Sequence, residues 1–105
     1  MNTMKTALRL IGLALLGATL SAHAATKLDG AQYLAEASVP LKAARAIALK
    51  AFPGTITAEE LEREDGGSGL RYSFDIRRGK ATQEVGVDAK SGVVLENAPE
   101  GKNPD

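Results

Sequence analysis

From Leu70 to Arg77 the chain alternates without a break, with Leu70, Tyr72, Phe74 and Ile76 on one parity and Arg71, Ser73, Asp75 and Arg77 on the other. Successive side chains of a β-strand point to opposite faces, so this pattern predicts a strand with one face covered and one in water. A lone strand of this kind is not stable; it needs neighbours in a sheet and a layer against its apolar face. The segment from Lys80 to Asp88 supplies the first neighbour, with Val85 and Val87 at odd positions. Two tight turns preserve the parity. A loop at Arg78-Gly79 pairs Tyr72 with Val85 and Leu70 with Val87, whereas one at Gly79-Lys80 pairs Phe74 with Val85 and Tyr72 with Val87. Both place the valines on the aromatic face, and a three-residue loop would turn them to solvent. Glycine in first position suits a type II′ turn better, although it sets Asp75 opposite Glu84.

The covering layer is predicted between Val39 and Phe52. On a helical wheel Leu41, Ala44, Ile47, Ala48, Ala51 and Phe52 share an arc of about 140°, wide enough for a core face. Pro40 suits the first turn, and Pro53-Gly54 ends the helix. Leu49 falls outside the arc, near Lys42 and Arg45. It reads as a rim contact with Tyr33 or Leu34, or, more sharply, as an exposed anchor for a partner.

Thr55 to Glu64 reads as a strand with a fault. Ile56 and Ala58 alternate, but Leu61 is out of phase, and a β-bulge near Glu59-Glu60 would return it to the core face. Asp65 to Gly69 is a flexible connection, Asp88 to Gly92 a turn, and Val93-Val94-Leu95 a short last strand. Residues 25–38 form a leader in which Asp29 and Gln32 have capping-box spacing, so that Gly30 to Ala37 can make one or two helical turns. Residues 97–105, with two prolines and no apolar side chain larger than alanine, are expected to be a disordered tail.

Residues 1–24 read as a secretory signal peptide. Lys5 and Arg9 are its only charges, Leu10 to Leu20 is apolar, and Ala22-His23-Ala24 is a small-x-small site that sets cleavage between Ala24 and Ala25. The apolar run is shorter than the ~20 residues of a membrane span, so no stable anchor is expected after cleavage. Of the 105 residues, 81 would remain. Loss of Lys5 and Arg9 leaves 11 basic residues against 13 acidic ones, a net charge of about −2. That balance, with only Tyr33, Phe52, Tyr72 and Phe74 aromatic, excludes the basic, stacking surface of a nucleic-acid binder. The expected destination is the periplasm or the exterior. There is no cysteine to staple so small a domain, and packing alone must hold it.

The run from Val39 to Leu95 resembles a PepSY domain. The resemblance is carried by A-x-A-I-A-L-K-A and F-P-G at Ala44 to Gly54, the acidic strand Ala58-Glu59-Glu60-Leu61-Glu62, L-R-Y-S-F-D-I at Leu70 to Ile76, and E-V-x-V-D-A-x-S-G-x-V-L at Glu84 to Leu95. It implies an α+β fold and a role in binding or restraining peptidases, since such modules occur in propeptides of thermolysin-type metallopeptidases. Pro40 departs from the Ser or Thr cap common in the family. Together these readings predict one amphipathic helix packed on a three- to four-stranded antiparallel sheet, with the domain spanning residues 39–96.

Catalytic chemistry finds no footing in the mature chain. The sole histidine of the full sequence, His23, is expected to leave with the signal peptide, so neither Ser-His nor Cys-His catalysis has its base. The H-E-x-x-H of a zinc peptidase is absent. Glu59, Glu60, Glu62, Glu64 and Asp65 could act as a carboxylate pair or bind Ca²⁺, but they read first as a solvated acidic edge. Asp65 to Gly69 resembles a calcium loop only superficially. No cofactor, metal ion or enzymatic activity is expected. The function expected is binding of a protein or peptide partner, a peptidase being the one the resemblance suggests, at the sheet edge or at a surface of Leu49, Arg71, Ser73, Asp75 and Arg77. The alternatives are a periplasmic small-ligand or Ca²⁺ binder and a structural accessory of an envelope complex.

Overall fold

A computed structural model describes residues 27–100. The segment read as a signal peptide, with its expected cleavage site, and the end of the chain from residue 101 lie outside the described residues. The five strands are β1 (Leu28–Asp29), β2 (Thr55–Arg63), β3 (Leu70–Arg78), β4 (Ala81–Asp88) and β5 (Val94–Pro99), in spatial order β1-β2-β3-β4-β5. A 3-10 helix at Ala31–Glu36 and the α-helix α1 (Leu41–Ala51) lie between β1 and β2 in the chain. The fold is α+β as expected, but the sheet has five strands and is mixed, because β1 runs parallel to β2 while the other pairs are antiparallel.

The hairpin takes the register with glycine first. Phe74 lies opposite Val85, Tyr72 opposite Val87 and Asp75 opposite Glu84. Gly79 opens the turn at φ +64°, where a residue with a Cβ would be strained. Leu70, Tyr72, Phe74, Ile76, Val85 and Val87 are buried, joined by Ile56 and Leu61 from β2 and Ala44 and Ala48 from α1. Leu41, Ile47, Ala51 and Phe52 pack around them half-buried, so the whole predicted helix arc faces the core. The two alanines let the helix axis approach the sheet closely. Tyr72 and Phe74 stack with ring centroids 6.1 Å apart, and the Tyr72 hydroxyl donates to the Val39 carbonyl at 2.7 Å. Burial pushes that phenol above its ordinary pKa.

Two expectations, the place of the bulge and the disorder of the tail, are corrected, and the helical turn expected in the leader is found in 3-10 form. The bulge in β2 falls between Ile56 and Ala58, not at Glu59-Glu60, so Ala58 turns to solvent and Glu59 and Leu61 turn inward. The leader is an integral part of the fold: Leu28 and Asp29 pair with Glu59 and Glu60, and Tyr33 and Ala37 pack on the core. Its turn is 3-10, capped by Gly30 at φ +86° with no side-chain cap, because Asp29 is engaged in β1. A Cβ at Gly30 would overlap the Leu61 carbonyl oxygen, so this crossing admits only glycine. Last, β5 runs to Pro99, into the segment expected to be disordered. Asn97 lies opposite Val85 and accepts a hydrogen bond from Gln83 Nε2 at 2.7 Å. An edge strand tolerates the proline that argued against a strand there.

Candidate functional site

The two faces of the sheet differ sharply. The inner face is covered by α1 and the 3-10 helix. The outer face has no described element packed on it, and it carries residues from all five strands. Cross-strand pairing sets Asp29, Glu60, Ser73, Gly86 and Glu96 in one row, with Glu62 and Arg71 on one side of it and Asp75 and Glu84 on the other.

Of the predicted surface residues, β3 places Arg71, Ser73, Asp75 and Arg77 on this face, as the alternation required. Their exposure is not what that surface assumed. Ser73 is buried and donates from its hydroxyl to Glu62 Oε2 at 3.0 Å. Arg71 lies flat over Gly86, its Nη1 3.6 Å from Glu96 and its Nη2 donating to the Asp65 carbonyl at 3.0 Å. Its side chain retains 12% exposure, and its Nε is buried without a hydrogen-bond partner among the described residues. Arg77 is exposed at the hairpin end, where its Nε donates to the Gly79 carbonyl at 3.2 Å. Asp75 is half-buried. Leu49 is remote from all four: it is half-buried against the rim of the core, on the helix side.

With Arg71 held down, the outer face presents carboxylates. Asp29, Glu60, Ser73, Asp75 and Glu84, together with Ala58 and Glu59, line a shallow depression of about 70 Å³. Partial burial pushes the Glu62 carboxyl above its ordinary pKa and the neighbouring Glu60 reinforces this, while the Ser73 hydroxyl and Arg71 oppose it. Among the described residues no group of three or more acidic, histidine or cysteine side chains is arranged to hold a metal ion. A wider hollow of about 430 Å³ opens at Arg63, Glu64, Asp65 and Gly69, on the loop side.

Two acids have other work. Glu59, expected in the solvated acidic edge, is buried on the inner face, where Arg45 Nε and Nη2 donate to its two oxygens at 2.9 and 2.6 Å. Asp88 is buried at the end of β4 and accepts backbone N–H bonds from Ser68 at 2.6 Å, Lys90 at 2.8 Å and Ser91 at 3.0 Å. Burial alone would raise its pKa, but these donors hold it well below the ordinary carboxylate range. The 65–69 loop, compared above with a calcium loop, thus directs the Ser68 amide at a carboxylate of the protein itself. Alternation around a correctly placed bulge would have revealed Glu59; nothing in the periodicity marks Asp88.

A family model spanning this fold decides the assignment: the one described as the peptidase propeptide and YPEB domain, PepSY, matches residues 38–97. The chain belongs to the PepSY family. The match starts just before α1 and ends within β5, so β1 and the 3-10 helix precede the part of this PepSY domain that the family model covers. No curated protein and no solved structure matches the chain. The family description names a peptidase propeptide, a module that accompanies an enzyme. No described helix of this PepSY chain is long and apolar enough to cross a membrane.

Proposed function

We propose that this chain is an exported, non-enzymatic PepSY module that binds a protein partner through the outer face of its sheet, and that the partner is an extracytoplasmic peptidase it restrains. The observation that carries the reading is the asymmetry of the sheet. One face is filled by the core, and the other is a polar surface with acids on all five strands and no described element over it. Such a surface suits a partner that is basic where it docks, because complementary charge steers encounter and rejects partners of like charge. The helix side carries the exposed Lys42 and Lys50, whereas carboxylates predominate on the outer face, so a basic partner would be oriented toward that face.

Membership in a family described by peptidase propeptides supports the choice of partner, and the signal-like N-terminal segment supports the compartment. Mature chain, residues 25–105, titrated into a panel of extracytoplasmic metallopeptidases at low and at physiological salt is expected to bind at least one, more weakly as salt rises. Binding to none of a representative set contradicts the peptidase reading. Binding that Glu60→Lys leaves intact contradicts the choice of face.

A further inference from the structure

We draw no further inference here: the strongest candidate, the open edge of the sheet along β5 with Val93 and Val94 exposed beside it, carries nothing, because nothing in the structure shows what covers it.

Discussion

Arg45 of the helix and Glu59 of the second strand form a two-point ion pair across the helix–sheet boundary, 2.9 Å from Nε to Oε1 and 2.6 Å from Nη2 to Oε2. The Glu59 side chain is fully buried, whereas that of Arg45 keeps 25% exposure. The hydrogen bond to Glu59 raises the Arg45 guanidinium pKa further, outweighing the effect of its burial, so the guanidinium is charged throughout the working range. The two partners are not equivalent to removal. Arg45→Met strands a carboxylate in the core and is expected to cost about 3–5 kcal/mol, while Glu59→Leu leaves a guanidinium that can turn to water and should cost less. In urea unfolding the double variant Arg45→Met, Glu59→Leu should be more stable than Arg45→Met alone.

Asp88 ties the 65–69 loop to the turn between β4 and β5. Asp88→Ala leaves three inward-facing amides without their acceptor and is expected to destabilise by about 3 kcal/mol or more; Asp88→Asn, which keeps one carbonyl oxygen, should cost less. The sign of the pH effect follows from the lowered folded-state value. The stabilisation is complete above the unfolded value of about 3.9 and is lost progressively as pH falls below it. Denaturant titrations at pH 7 and pH 3 should show a steeper acid loss in the parent than in Asp88→Asn.

Gly30 is where the leader crosses β2. Its φ of +86° and the closeness of the Leu61 carbonyl leave no room for a Cβ. Gly30→Ala is expected to cost at least about 1 kcal/mol from backbone strain alone. Hydrogen exchange should then show the amides of residues 28–37 losing protection well before those of β3 and β4.

Tyr72→Phe removes one hydrogen bond, to the Val39 carbonyl, and keeps the ring stacked on Phe74. The expected loss is about 1 kcal/mol in thermal or urea unfolding, with the fold unchanged.

How far the fold could be read from residues depended on how local the signal was. Leu70 to Ile76 and the valines of β4 carry their faces in strict alternation, so the strands and their inner face were legible, whereas parity left two registers open and turn chemistry at Gly79 only favoured the one observed. The arc from Leu41 to Phe52 was legible for the same reason. β1 was not: a two-residue strand has no period, and its pairing with Glu59 and Glu60 spans the whole helix in sequence. The bulge in β2 was visible as a phase error but not its position, since moving it from Glu59-Glu60 to Thr57 exchanges Ala58 for Glu59 on the inner face. Alanine in the core looked the better choice locally, and only Arg45 on the helix above makes the glutamate acceptable. Alternation correctly assigned the candidate surface to the outer face, but not its exposure. The flattening of Arg71 depends on Gly86 of the next strand and on Glu96 beyond it, and that contact is tertiary.

The claim that the domain restrains a peptidase is tested most directly by kinetics. Cleavage of a peptide substrate by each extracytoplasmic metallopeptidase is followed with increasing mature chain, and with the Glu60→Lys form matched for folding by circular dichroism. The account predicts that the parent slows at least one enzyme in a saturable manner and that Glu60→Lys needs a several-fold higher concentration for the same effect. Unchanged rates for every enzyme, with the parent folded and in excess, would contradict it.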